Sequence, residues 1–299
     1  MGHSALNPGA AEAIRMSFQQ HLAEHCRGTA TGPPVFSDSG HVLRNDHVAG
    51  EYWHMELEVP EKLAGAAPGQ FYQMLCESRA TTGTLPFLRR PMSIYLFDRE
   101  RRRLEFLYKV TGIGTAVLTH YRRGDALRLL GPLGVGFRIE HGWKHILIVA
   151  RGVGLATLAP LAEAARGRGI ASTVILSARS PDLILSKERF LANGAAVSVV
   201  VDSDRSSGVA NVERMIRRFH AANRFDAFFT CGSNRLLKLL KTLGKDLGVS
   251  GQVAIEQQMA CGLGMCFCCI RPIVRGGRTE QLRVCHDGPV FTLEEVESW

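Results

Sequence analysis

The stretch 256–285, EQQMACGLGMCFCCIRPIVRGGRTEQLRVC, constrains this chain more than any other. Cys261, Cys266, Cys269 and Cys285 stand there in the pattern C-x4-C-x2-C-x15-C. Three of these thiols, with Cys268 beside them, fall within nine residues, too dense for ordinary core packing. Gly262 and Gly264, in the first gap, let the backbone wrap tightly round a compact object and turn amide N–H groups inward. Inward amides suit bridging sulfides, which carry negative charge. The spacing is that of a [2Fe–2S] cluster held by four cysteines. A structural zinc site would show two separated cysteine pairs, each with a short internal gap; here the first gap is glycine-rich and one thiol follows downstream. A disulfide framework suits a small secreted chain, which this is not. Cys268 adjoins Cys269, and by count either could be the third ligand. The two-residue gap selects Cys269 and leaves Cys268 a bystander.

A chain of 299 residues has room for two or three packed domains. Its formal net charge is +8, but the basic residues are scattered, and the densest run, 99–103, is interrupted by Glu100. Such a run reads as a solvated turn rather than a nucleic-acid patch. Attraction to anionic dinucleotides or to an acidic partner accounts for the charge. Cysteine usage implies a reducing compartment, the start lacks an apolar signal region, and no run approaches a membrane span. The expected location is the cytoplasm, with no nucleic acid bound and no membrane insertion.

Residues 1–44 read as an extension. In 10–26, Ile14, Phe18 and Leu22 recur every four residues, which predicts one helix. His21 and His25 share that helix but lack a third ligand and read as surface residues. Residues 28–40 read as a polar linker. From 45 the texture changes to short strands: 51–59 (EYWHMELEV), 71–76 (FYQMLC), 93–97 (SIYLF) and 104–110 (LEFLYKV). Such strands, punctuated by Gly and Pro, predict a small antiparallel barrel over 45–141. Arg90, Pro91, Met92 and Ser93 sit at a strand entrance, where an Arg beside a hydroxyl can hold a phosphate or the polar rim of a flavin. Gly114 and Thr115 follow, with Thr115 a candidate cap for a helix facing an anion. Taken alone, either feature reads first as a plain strand-to-helix turn.

Residues 142–250 follow another regime. HILIVA (145–150) is a continuous apolar strand of the kind buried on both faces of a parallel sheet. It runs into Gly152-Val153-Gly154 and a helical stretch. Further strands read 173–179, 197–203 and 225–233, alternating with helical stretches that include 182–191 and 209–220. This predicts a doubly wound parallel sheet whose ligand crevice gathers Gly152, Gly154, Ser177, Asp202, Cys231 and Gly232. A G-x-G without the third glycine is a partial fingerprint, raised by its place between strand and helix. Cys231 reads either as a buried thiol or as a small polarizable group near a nicotinamide. The fold class is thus α/β plus all-β: an antiparallel flavin-binding barrel, a doubly wound nucleotide domain, and a small C-terminal [2Fe–2S] domain over 251–299.

These parts make a converter between two-electron and one-electron carriers. The ordered motifs RRPMSIY, GIGT, GPLGVGF, G-V-G, CGS, EQQMACGLGMCFCC and VCHDGPVF resemble the electron-transfer subunit of bacterial dihydroorotate dehydrogenase, within the ferredoxin–NADP reductase superfamily. The resemblance covers roughly 45–296. It implies that Arg90, Pro91, Met92 and Ser93 contact FAD and that Gly114 and Thr115 sit at its pyrophosphate. It implies a nicotinamide site at Gly152, Gly154, Cys231 and Gly232, with Cys231 in the catalytic position, and a cluster on Cys261, Cys266, Cys269 and Cys285. It further implies NAD and a hetero-oligomer with an FMN-dependent catalytic subunit that carries the substrate chemistry of pyrimidine biosynthesis; Arg179, near the end of the second α/β strand, reads equally as a contact to the 2′-phosphate of NADP or as a surface residue. Glu256 precedes the cluster loop without an assigned role, and Trp299 reads as a frayed terminus rather than as a cover for a flavin or a partner surface.

The chain departs from the family pattern at the nucleotide loop. Ala150 and Arg151 stand where consecutive glycines are usual, and Ser233-Asn234 where a proline is favoured. Arg151 could pair with a phosphate or crowd the crevice. Two other readings share the module: a reductase for another acceptor, of the ferredoxin:NADP oxidoreductase or sulfide dehydrogenase type, and a non-catalytic iron–sulfur redox sensor.

Overall fold

The computed structural model describes residues 34–77 and 86–297. The expected helix at 10–26, with His21 and His25, and Trp299 lie outside the described residues.

The first sheet is antiparallel and has seven strands. They are β1 (Phe36–Ala49), β2 (Tyr52–Glu58), β3 (Phe71–Met74), β4 (Arg90–Ser93), β5 (Leu96–Asp98), β6 (Arg103–Lys109) and β7 (Ala126–Leu133). Their order is β4-β3-β7-β1-β2-β6-β5. The sheet curls on itself because its alternate side chains are large and apolar. Tyr72, Met74, Met55, Leu57, Leu104, Phe106 and Leu129 fill one interior, where the Tyr72 and Phe106 rings meet edge to face at 5.9 Å.

Three expectations change here. β1 begins at Phe36, so residues 36–40, read as linker, are strand, and the barrel starts before residue 45. The expected strand 93–97 is broken at Ile94 and Tyr95. The Ile94 N–H donates to Gln70 O (3.2 Å), while the Tyr95 N–H donates to Glu105 O (2.9 Å). The chain crosses there from the β3 side of the curled sheet to the β6 side, so that β4 and β5, its two end strands, are consecutive in the chain. Strand 71–76 is shorter than expected and ends at Met74.

The second sheet has the order β10-β9-β8-β11-β12-β15, built from β8 (His145–Arg151), β9 (Ala171–Ala178), β10 (Ala196–Val201), β11 (Ala227–Cys231), β12 (Ser250–Ala254) and β15 (Val290–Thr292). β8 explains the continuous apolar run. Ile146, Ile148 and Ala150 pack into the core on one face, while Leu147 and Val149 pack into the core on the other. The helices Leu155–Gly167, Val209–Ala222 and Asn234–Leu247 cover these faces. The stretch 182–191 is not one helix: a 3-10 turn spans Pro181–Leu183 and a short helix spans Lys187–Ala192.

The boundary expected at 250–251 also moves. β12 is the fifth strand of the nucleotide sheet, and β15 from the C-terminal part joins it antiparallel as the sixth. Between them lie the cysteine loop and the hairpin of β13 (Ile270–Arg275) and β14 (Arg278–Arg283). The cluster region is thus stitched into the nucleotide sheet at both ends.

Tyr95 ties the barrel to the nucleotide sheet. Its hydroxyl lies 2.7 Å from Ser186 Oγ, and the Arg189 guanidinium stacks 4.0 Å from its ring centroid.

Candidate functional site

A cleft of about 430 Å³ opens where the barrel meets the second sheet. Arg90, Pro91, Met92, Ser93, Gly114 and Thr115 all line it, so the two flavin motifs converge. β4 pairs with β3, which holds Pro91 and Met92 opposite Gln73 and Tyr72. Gly114 is glycine for a local reason: a Cβ there would strike the Arg90 guanidinium. Thr115 is not the cap of its helix, which begins at Ile113 with Gly112 before it. Its Oγ1 accepts from the N–H groups of Thr111 (2.9 Å) and Gly112 (3.2 Å) and donates to Gly112 O (3.0 Å). The hydroxyl therefore shapes the loop.

A second cleft of about 250 Å³ lies at the carboxyl ends of β8 and β9. Gly152, Gly154 and Gly232 line it, with Arg151, Arg179 and Tyr52. β8 is where strand order reverses, with β9 on one side and β11 on the other, which is the usual place for a ligand crevice in an open α/β sheet. Gly154 and Gly232 touch each other's backbone. A Cβ on Gly154 would lie 2.7 Å from Cys231 C, and one on Gly232 would overlap Arg151 O. Gly232 also has φ +88°, a region that favours glycine.

Arg151 neither projects freely nor blocks the crevice. Its Nη2 donates to Asp202 Oδ2 (2.6 Å), and its Nη1 donates to Asp202 Oδ1 (3.2 Å) and Ser177 Oγ (2.8 Å). Ser207 also donates to Asp202, and Arg235 stands 3.7 Å from it. The Arg151 hydrogen bond, then that of Ser207, hold the Asp202 carboxyl down to about 2.

Cys231 lies in the core with 2% exposure and is absent from the walls of both clefts. Its thiol is 3.8 Å from Thr157 Oγ1. Burial pushes it well above the usual thiol range, so it stays protonated. Its neighbour Gly232 is the residue that reaches the cleft.

Sequence reasoning left three residues without a role here. Lys109, Val153 and Glu256 line both clefts and mark where they meet. Lys109 pairs with Glu51 at 2.9 Å. The Glu256 carboxyl faces the open cleft, yet the surrounding protein desolvates it and raises it above the usual carboxylate range. It also lies close enough to Cys231 to raise that thiol further. The place of Glu256 at the end of a parallel strand was the available signal, and that strand was not recognised.

Among the described residues the cysteines form no disulfide, and no three His, Cys, Asp or Glu side chains gather as for a single metal ion. The four thiols instead associate in two couples. The Cys266 thiol lies close enough to Cys261 to pull its pKa down, and the Cys269 thiol close enough to Cys285 to push its pKa up. Two couples are the donor set two irons require. Backbone amides point at the sulfurs: Leu263 N–H to Cys261 Sγ (3.3 Å), Gly264 N–H to Cys285 Sγ (3.2 Å) and Cys285 N–H to Cys269 Sγ (3.4 Å). Burial raises the Cys261 thiol, but the Cys266, Leu263 and Met265 amides and the Cys266 thiol outweigh it and bring the group to about 7. Burial, joined by Cys269, takes Cys285 up to about 12. Gly262 and Gly264 have φ of +72° and +78°, as the tight wrap requires. Cys268 is exposed and Cys269 is buried, which separates the two neighbours. The residues fit the cluster.

Comparison with known proteins agrees with this geometry. A family model described as the iron–sulfur cluster binding domain of dihydroorotate dehydrogenase B matches residues 256–297. The dihydroorotate dehydrogenase B (NAD(+)) electron transfer subunit of Desulforamulus reducens is 31% identical, over 85% of this chain and 96% of its own. That of Caldanaerobacter subterraneus subsp. tengcongensis is 33% identical, with the same coverage. Among solved structures, that of the NADH-dependent reduced ferredoxin–NADP oxidoreductase aligns with a TM-score of 0.72 at 26% identity, over 87% of this chain and 90% of that one. Ferredoxin–NADP+ reductase from Plasmodium falciparum shares the fold at a TM-score of 0.54 and 13% identity, over 68% of this chain and 89% of its own. With two clefts meeting beside a paired-cysteine loop, and with relatives above 30% identity along nearly their full length, the chain belongs to the family of dihydroorotate dehydrogenase B electron transfer subunits.

Proposed function

We propose that this chain passes electrons between NAD(H) and a separate catalytic subunit, an FMN-dependent one that oxidises dihydroorotate in pyrimidine biosynthesis. The observation that carries the reading is the continuity of three sites. The two clefts share Lys109, Val153 and Glu256, and the larger cleft runs on along Phe71, Gln257 and Met259 toward the cysteine loop. When bound, a nicotinamide exchanges two electrons as hydride, a flavin exchanges two or one, and a [2Fe–2S] cluster exchanges one.

The chain's own residues supply position and electrostatics. Arg90, seated across Gly114, presents a guanidinium suited to the FAD pyrophosphate. Pro91, Met92 and Ser93 offer a strand edge to the flavin ring, and the Thr115 hydroxyl holds the loop of Gly112 and Gly114 in shape. Gly152, Gly154 and Gly232 keep the second cleft free of side chains so that a nicotinamide can reach the shared wall. Cys231 packs behind that wall as a neutral thiol and positions Gly232. Glu256 offers a carboxyl at the junction, and Cys261, Cys266, Cys269 and Cys285 hold the cluster.

The partner is expected to dock over the cysteine loop. Leu263, Met265 and Phe267 are 40%, 79% and 55% exposed there, an apolar patch on a loop otherwise made of glycine and cysteine. Co-expression with the FMN-dependent subunit tests the reading. A stable complex should reduce NAD+ when given dihydroorotate, and neither subunit alone should. Absence of both complex and NADH formation contradicts it. A second reading, transfer to a ferredoxin-like acceptor, is favoured by the likeness to the NADH-dependent reduced ferredoxin–NADP oxidoreductase. Reduction of a ferredoxin, with no response to dihydroorotate, would select it.

A further inference from the structure

We propose that the side-chain amide of Gln73 donates a hydrogen bond to a sulfur of the cluster or of its cysteine ligands and raises the cluster's reduction potential. The inference rests on the cluster assignment above.

Gln73 lies in β3, where every residue is buried, and it is itself 0% exposed. Neither its Nε2 nor its Oε1 has a hydrogen-bond partner. Among the described residues it is the one side chain with both ends of its polar group buried and unmatched. A protein interior rarely tolerates an orphaned amide, because its hydration is lost with nothing in return. Apolar residues of similar size were available at this position, so the orphaned group implies an acceptor that occupies the space beside it.

The direction of the side chain says which acceptor. Strand side chains alternate. Tyr72 and Met74 point into the barrel interior, so Phe71 and Gln73 point out of it. Phe71 lines the flavin cleft, but Gln73 does not. Gln73 instead meets the cysteine loop. A Cβ on Gly262 would lie 2.7 Å from Gln73 Cγ and 2.9 Å from Nε2. Gly262 follows Cys261, and its φ of +72° gives the loop its wrap. The amide therefore fills the space that any side chain at Gly262 would need. Thiolates and sulfides accept hydrogen bonds and cannot donate them, so the NH2 end is the one that turns toward the cluster.

A donor at a sulfur stabilises the reduced cluster, which carries one more negative charge, more than the oxidised one. Gln73 stands on the barrel strand that also carries Phe71 to the flavin cleft. By raising the cluster potential it would bias one-electron transfer toward the cluster without touching the flavin.

Gln73→Met, which keeps length and removes the donor, tests this in the full chain loaded with FAD and cluster. Wild type and variant are matched for iron, sulfide and flavin, then titrated anaerobically with EPR detection. The variant's cluster potential should fall by about 59 mV, a tenfold shift of a one-electron equilibrium, with the flavin potential unchanged. An unchanged cluster potential in a fully loaded variant overturns the proposal and assigns the amide to a buried water. If Gln73→Met fails to load, Gln73→Leu, of similar bulk and without a donor or a charge, takes its place. Independently, wild-type protein labelled with 15N-glutamine should show a nitrogen hyperfine coupling in its reduced cluster, and none contradicts the donor role. A wild-type chain that binds no iron and sulfide refutes the cluster assignment itself, a different outcome from a loaded cluster indifferent to Gln73.

Discussion

Asp202→Asn isolates what the Arg151 substitution does to the nucleotide site. In the native chain Arg151 is held by two bonds to Asp202, at 2.6 and 3.2 Å, and its charge is spent there. Asn keeps the shape but removes the charge. The Asp202 carboxyl falls from 3.8 to about 2, which unscreened would be worth roughly 2 kcal/mol. Its side chain is 40% exposed, so solvent screening reduces the expected loss to about 1 kcal/mol. The group's folded value is depressed, so its contribution is complete above 3.8 and disappears as pH falls through about 2. Denaturant unfolding should show the variant about 1 kcal/mol weaker at pH 7, with the gap closing between pH 4 and 2. Nucleotide binding should move the other way. Removing the carboxylate frees the positive charge of Arg151, which lines the cleft, so an anionic nucleotide should bind more tightly, by roughly 1 kcal/mol or less across partly screened solvent. Calorimetric titration with NAD+ at low and high salt measures this, and the gain should shrink with salt. Unchanged stability at pH 7, or weaker nucleotide binding in Asp202→Asn, would refute the view that Asp202 neutralises Arg151.

Two further predictions concern the sites directly. Cys268→Ser should keep iron and sulfide at the wild-type ratio, whereas Cys269→Ser should lose the cluster; loss with Cys268→Ser would reverse the ligand choice. Gly232→Ala places a methyl against the Arg151 carbonyl at φ +88°. It should cost more than the roughly 1–2 kcal/mol of a left-handed non-glycine residue and should abolish flavin reduction by NADH while leaving the FAD absorption band. Full hydride transfer in that variant would contradict the crossing of Gly154 and Gly232.

The parts legible in the sequence are those written in local spacing. The cysteine pattern needs only the run from Cys261 to Cys285. The parallel sheet announces itself in HILIVA, because a strand buried on both faces carries apolar residues at both parities. What stayed hidden depends on distant partners. The break at Ile94 and Tyr95 is invisible within SIYLF, since it is created by Gln70 on one side and Glu105 on the other. β12 reads SGQVA, with a glycine and a glutamine inside it, and became recognisable as strand only through pairing with β11 and β15. Arg151 stood out as a foreign cation in a glycine loop, but the carboxylate that quenches it lies 51 residues away. Gln73 did leave a trace: one amide in the apolar run FYQMLC, which is unexplained until the cysteine loop is folded against it.

The most direct test of the central claim is an anaerobic visible-absorption titration of the purified chain with NADH, then NADPH. The account predicts flavin and iron–sulfur bands that both bleach, the flavin first, within a few equivalents of NADH. Bands that stay unbleached by either nucleotide would contradict electron transfer from NAD(H). A spectrum with no iron–sulfur band, and zinc found in place of iron, would contradict the reading of the cysteine loop.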